Sequence, residues 1–351
     1  MRGRRFLAYS VGALASAAAA GRLVRRVDAR RPDPERDEPL GAVRGTPRRI
    51  RGPGGSHLYT ERFLAGAEGG AAGTAILTHG YCLTEAVWHY QKRDLAGGPY
   101  DLVTWDLPGH GHSPALRPGR LTLDLAADSL ARVVREHATP DGVVLVGHSL
   151  GGVVTLAYLV RHAEQCRDVV RGVVLVSTPL MYFARSAAGR WPGASVEARA
   201  LGKVVQAVVE SNRFDRVVGR DVGTEDLSLS YRLVRWGFGR RPSPSQVRFV
   251  RDQVASISPE VRRDTYRIMA GYDLRPDLPS VTVPALVVAG RRDRLVNPEE
   301  AREMARRLPR ARLVELPDAG HAGILEEHAR LTRELDRFAR RHLGSPRERA
   351  G

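Results

Sequence analysis

The chain has 351 residues, 42% hydrophobic and 27% charged, a balance that supports one large core or two modest ones and excludes a disordered or low-complexity polymer. Its net charge of +16 would suit a polyanion, yet 53 of the 55 basic residues are arginine, Lys92 and Lys203 being the only lysines. No Lys/Arg block is interleaved with aromatics as a phosphate-tracking groove requires, so nucleic acid is excluded as an expected partner.

Met1-Arg2-Gly3-Arg4-Arg5 precedes an uncharged stretch from Phe6 to Gly21, and Arg22, Arg25 and Arg26 follow. The basic start, the short apolar run and Ala18-Ala19-Ala20 read as an export signal or an interfacial membrane anchor. The run is too short and too alanine-rich to span a bilayer. Arginines directly after the would-be cleavage site fit a disordered leader of a cytoplasmic protein equally well, so both readings of 1–27 stand. Residues 28–55, with Pro32, Pro34, Pro39, Pro47 and Pro53 among Arg, Asp and Gly, read as a solvated linker.

Folding is expected to begin at 57–63, an alternating strand, followed by buried strands at 74–78 and 100–105. From Thr122 to His137, Leu123, Leu125, Ala126, Leu130, Val133 and Val134 form a helical stripe that faces a sheet. Further strands are predicted at 143–146, 173–176, 285–289 and 312–316, with helices near 299–308 and 324–342. Near-continuous apolar strands alternating with amphipathic helices require a mostly parallel, doubly wound sheet covered on both faces, an α/β fold. The core is expected over 56–179 and 280–342, with a basic tail at 343–351.

Between these halves, 180–279 shows helical signals and no strand. Ser243-Pro244 and Ser258-Pro259 each read as an N-cap followed by proline at the first helical position. This insertion is expected to be an all-helical lid. Its apolar side chains should be mostly lid core, with Met181, Tyr182, Trp191 and Trp236 as candidates to roof an apolar substrate pocket.

The strand 143–146 runs into Gly147-His148-Ser149-Leu150-Gly151 and then into helix-compatible residues. Strand, tight turn and helix with serine at the apex make a nucleophile elbow. Asp293 lies just past the strand 285–289 and His321 just past 312–316, so serine, carboxylate and histidine all fall at carboxyl ends of strands, where doubly wound sheets bind ligands. A serine hydroxyl needs a base within hydrogen-bond reach, which is the expected role of His321. A carboxylate then fixes the tautomer and stabilises the imidazolium, the role expected of Asp293. Asp318 competes for that role but sits on the histidine's own loop, where a surface turn residue is the simpler reading. The oxyanion needs two backbone N–H donors: Leu150 follows the nucleophile, and Tyr81 follows Thr78-His79-Gly80. Cys82 and Cys166 match no metal spacing and are expected as free thiols, and no histidine group has a metal-binding context.

These stretches, together with Asp106-Leu107-Pro108-Gly109-His110-Gly111-His112-Ser113, Gly290-Arg291-Arg292-Asp293 and Gly320-His321, resemble the α/β-hydrolase family with a helical lid over 57–342. Serine at the elbow departs from the epoxide-hydrolase and haloalkane-dehalogenase branches, which carry aspartate there. The resemblance implies no metal and no organic cofactor. It implies a serine hydrolase of small apolar carboxylic esters. The same three groups would also serve carbon–carbon, amide or thioester cleavage, acyl transfer or perhydrolysis, and a silent binding protein on this scaffold is the third reading.

Overall fold

The computed structural model describes residues 30–66, 70–181 and 228–344. The leader, most of the basic tail, and the pocket candidates Tyr182 and Trp191 lie outside the described residues. Among the described residues no helix is long and apolar enough to cross a membrane.

The described strands are β1 (Thr46–Arg51), β2 (His57–Phe63), β3 (Thr74–Thr78), β4 (Asp101–Trp105), β5 (Val143–His148), β6 (Val170–Val176), β7 (Ala285–Gly290) and β8 (Ala311–Leu316). They form one sheet in the order β1-β2-β4-β3-β5-β6-β7-β8. From β4 to β8 all neighbours run parallel, whereas β1 and β2 form an antiparallel edge. The predicted doubly wound architecture is therefore present.

Because side chains alternate across a strand, each β-branched run feeds two cores. Ile76, Val103, Leu145, Val173 and Val287 face one side, where helices α2 (Leu123–His137), α3 (Leu150–Arg161) and α7 (Pro298–Arg307) contribute Leu130, Val154 and Met304. Leu77, Leu102, Val146, Val176 and Val288 face the other, closed by α1 (His89–Leu95) and α8 (His328–Leu343) with Leu95, Leu335 and Phe338. The described part of the insertion is helical: α4 (Ser228–Gly237), α5 (Pro244–Ser256) and α6 (Pro259–Ala270). Both predicted serine caps occur. Ser243 forms a reciprocal capping box with Gln246, and the Ser258 hydroxyl accepts the Val261 N–H at 3.4 Å. Tyr231, Phe238 and Val247 from this segment join the second core.

The linker reading of 28–55 needs correction. Thr46–Arg51 pairs in full register with β2, from Thr46 opposite Arg62 to Arg51 opposite His57. Arginine-rich and exposed on all but Ile50, this strand buries so little that composition alone marks it as solvated. Upstream, Asp33 accepts hydrogen bonds from the Ser245 hydroxyl at 2.8 Å and from Arg248 at 3.0 Å, so the segment is tied to α5. Gly41 N–H donates to His89 Nδ1 at 3.1 Å, and Glu38 meets the other ring nitrogen at 2.6 Å.

Where this segment meets the sheet edge lies Lys92, whose side chain is 0% exposed. Its ammonium pairs with Glu85 and lies 3.5 Å from Glu61, while Arg44 reaches Glu85 at 2.6 Å from the solvent side. The group joins β2, α1 and the N-terminal segment. Breaking a buried pair strands the partner charge, which costs more than the pair contributes. Lys92→Met should therefore lower stability by about 3 kcal/mol, read as a shift in the urea midpoint at unchanged slope; a shift too small to resolve would show that Arg44 neutralises both carboxylates alone.

Candidate active site

Ser149 follows the last residue of β5 and occupies φ 52°, ψ −119°, a left-handed backbone costly for any residue with a Cβ. The turn persists because backbone packs on backbone around it. A Cβ on Gly147 would lie 2.5 Å from the Gly152 Cα, and one on Gly151 would lie 2.2 Å from the Thr78 carbonyl oxygen. The second contact is with the neighbouring strand β3, so the motif's glycines serve the packing of α3 on the sheet as much as the turn itself.

The three residues separated by 172 and 28 positions in sequence meet here. Ser149 Oγ and His321 Nε2 are 2.9 Å apart, and His321 Nδ1 and Asp293 Oδ2 are 2.9 Å apart. Since a carboxylate only accepts, Nδ1 carries the proton and Nε2 offers its lone pair to the serine hydroxyl. The other Asp293 oxygen accepts the N–H groups of Leu295 and Val296 at 2.8 and 2.9 Å, which fixes the carboxylate's orientation. Asp293 is nearly buried at 2% exposure and His321 is 15% exposed. Asp318, by contrast, is 65% exposed and 3.5 Å from Arg292, away from the imidazole's bonding partners.

Leu150 opens α3, where the first-turn N–H groups lack intrahelical acceptors. Gly80 lies against the elbow, since a Cβ there would be 3.2 Å from the Ser149 Cβ. The Gly80 carbonyl accepts from His79 Nδ1 at 2.8 Å and from the Leu83 N–H at 3.3 Å. In a trans peptide the Tyr81 N–H then points the opposite way. His79 Nε2 in turn accepts the Leu107 N–H at 3.0 Å, so both partners demand the neutral Nδ1–H tautomer. Sequence reading named Tyr81 but missed His79, whose role depends on the Leu107 N–H that only the fold brings to it.

The pocket candidates separate. Met181 is buried, and its backbone bridges antiparallel to Asp273. Trp236 is half-buried on the last turn of α4, one residue before the Gly237 carbonyl that accepts the His321 N–H at 2.7 Å. Cys82 and Cys166 are both free and buried.

A family model described as alpha/beta hydrolase fold matches residues 75–328. The chain belongs to that family and is an enzyme of its kind. A pimeloyl-[acyl-carrier protein] methyl ester esterase from Aeromonas hydrophila is 27% identical over 282 residues, 80% of this chain and 98% of the relative. Its counterpart from Vibrio vulnificus is 28% identical over 269 residues, 75% and 93% of the two chains. Among solved structures, a thermophilic esterase from Thermogutta terrifontis superposes with a TM-score of 0.66 at 26% identity, covering 85% of this chain and 99% of that one.

Several titratable groups are displaced by burial. Burial lowers His110 and His137 to about 4 and His148 to about 3, and holds His79 well below the imidazole range. It raises Asp106 and Glu326 to about 7. Below about pH 6.5 the unfolded chain binds more protons at the four histidines than the native state, so their contribution to stability falls as pH falls. The two carboxyl groups oppose this, being protonated in the native state first. With four groups against two, the melting temperature should decline from pH 7 to pH 4.5; a rise across that interval would mean the histidines are not buried neutral.

Proposed function

We propose that the protein is a cofactor-independent serine hydrolase that cleaves small apolar carboxylic esters through an acyl-enzyme. The observation that carries this reading is the pair of hydrogen bonds, each 2.9 Å, that join Ser149 Oγ to His321 Nε2 and His321 Nδ1 to Asp293 Oδ2. The esterases among the similar proteins support the ester as the bond cleaved.

In this mechanism Ser149 Oγ attacks the ester carbonyl while His321 Nε2 takes the hydroxyl proton. Asp293 holds the Nδ1 proton and stabilises the imidazolium. The developing oxyanion is met by the N–H groups of Leu150 and Tyr81, which act where charge appears in the transition state. Collapse breaks the carbon–oxygen bond of the leaving alcohol, and His321 returns the proton to that oxygen. Water then enters, loses a proton to His321 and attacks the acyl carbon; the bond to Ser149 Oγ breaks, His321 returns the proton to that oxygen, and the acid leaves. The insertion, 180–279, acts as the lid, and its apolar side chains contact the acyl or alcohol group and leave the carbonyl to the sheet.

Ser149→Ala should abolish turnover of p-nitrophenyl butyrate with an unchanged far-UV circular dichroism spectrum. Asp293→Asn should lose about four orders of magnitude in kcat, whereas Asp318→Asn should lose little; the reverse ranking would move the acid's role to Asp318.

Each methylene buried under the lid is worth about 0.8 kcal/mol, roughly fourfold in binding. kcat/KM should therefore climb with acyl length and then drop once the pocket is full. Trp236→Ala should shift that optimum while leaving the rate of labelling by a small fluorophosphonate unchanged. A flat chain-length profile, indifferent to the substitution, would remove the insertion from substrate selection.

A further inference from the structure

The loop that carries His321 has every N–H from 318 to 321 matched to a fixed acceptor. Glu327 Oε1 alone accepts two of them, from Asp318 at 2.9 Å and Ala319 at 3.0 Å. Glu326 Oε1 accepts the Gly320 N–H at 2.9 Å, and the Gly237 carbonyl accepts the His321 N–H at 2.7 Å. The second Glu326 oxygen accepts the N–H of Gly239 at 2.6 Å. Gly239 lies just beyond α4, inside the insertion, so a single carboxylate grips the histidine loop with one oxygen and the insertion with the other.

The two gripped backbones are in direct contact. A Cβ on Gly239 would lie 2.1 Å from the Asp318 carbonyl oxygen, and one on Gly320 would lie 2.5 Å from the Gly239 nitrogen. Arg240 N–H donates to the Asp318 carbonyl at 3.1 Å, and Arg292 N–H, from the loop of Asp293, donates to the Ala319 carbonyl at 3.0 Å. Arg235 reaches the Gly239 carbonyl at 3.3 Å. With so little side-chain bulk between them, hydrogen bonds set the spacing of these loops.

We propose that Glu326 is a positioning residue: its carboxylate locks the loop of His321 to the segment leaving α4, so that the imidazole is aligned on Ser149 only while that part of the insertion is docked. The inference rests on the serine-hydrolase reading above. It follows that the grip needs two acceptor oxygens, because each takes one N–H from a different segment. A glutamine at 326 offers one oxygen and one NH2, leaving either Gly320 or Gly239 opposed by a donor. A glutamine at 327 loses less, since one oxygen there already takes both bonds.

The test compares Glu326→Gln, Glu327→Gln and Ser149→Ala on p-nitrophenyl butyrate at about pH 8.5, where Glu326 is ionised and both its oxygens accept, and well below each variant's melting temperature. Glu326→Gln should lower kcat between about tenfold and a hundredfold, as a misaligned base does, with KM within twofold of wild type. Glu327→Gln should lose clearly less. A Glu326→Gln enzyme with wild-type kcat, one that changes KM alone, or equal losses in the two glutamine variants would overturn the inference, while inactive Ser149→Ala would leave the serine reading intact. Turnover by Ser149→Ala within tenfold of wild type would overturn both. Should Glu326→Gln fail to fold, hydrogen exchange in the wild-type enzyme decides: the amides of Gly320 and Gly239 should be strongly protected, and exchange at the rate of an open amide would sink the proposal.

Discussion

The structure depends on backbone meeting backbone at the carboxyl end of the sheet. Gly151 of α3 rests against the Thr78 carbonyl, Gly80 rests against Ser149, and Gly290, Gly320 and Gly239 are stacked with no room for a Cβ between them. Loops from β3, β5, β7 and β8 thereby come within hydrogen-bonding distance of one another. Side chains as short as serine and aspartate can then meet a single imidazole, and the left-handed Ser149 is held in a conformation it would not choose.

Closeness of this kind creates an accounting problem for polar groups, because loops packed together expose N–H and C=O groups with little water to satisfy them. Buried neutral histidines answer part of it. His79 bridges the Gly80 carbonyl and the Leu107 N–H, and His148 donates from Nε2 to the His321 carbonyl at 3.0 Å. Asp106 accepts the N–H groups of Glu85 and His112 at 2.8 Å each. The two histidines lie beneath Ser149 and His321 and keep their own charge out of the site, since burial favours their neutral form.

The N-terminal segment and the insertion meet on the same side of the molecule. Asp33 binds Ser245 and Arg248 of α5, and Gln246 of the same helix donates to the Leu325 carbonyl at 2.9 Å, two residues past the start of the turn that ends in Glu326. Gln253 of α5 accepts the Thr84 N–H at 2.8 Å, close to the Tyr81 loop. One insertion helix is thus hydrogen-bonded to the leader-proximal segment, to the histidine side and to the loop after β3. The insertion and the loop of His321 share a frame.

Periodicity and order in the sequence determined the sheet, its helices and the chain order of Ser149, Asp293 and His321, because β-branched runs ending in Gly-x-Ser-x-Gly or Gly-x-x-Asp encode burial and sharp turns locally. The serine caps of α5 and α6 were legible for the same reason: a cap is satisfied within three residues of itself. Tertiary structure decided what depends on partners far along the chain. The strand Thr46–Arg51 exists because β2 offers it an edge, although its own arginines argue for solvent. The choice between Asp293 and Asp318 turned on which carboxylate the fold turns toward the imidazole, and the adjacent pair Glu326-Glu327 looks like an ordinary charged helix entry until Gly320 and Gly239 arrive from opposite directions. Local patterns specify elements, whereas a hydrogen bond between backbones 81 residues apart through one carboxylate is written only in how those elements pack.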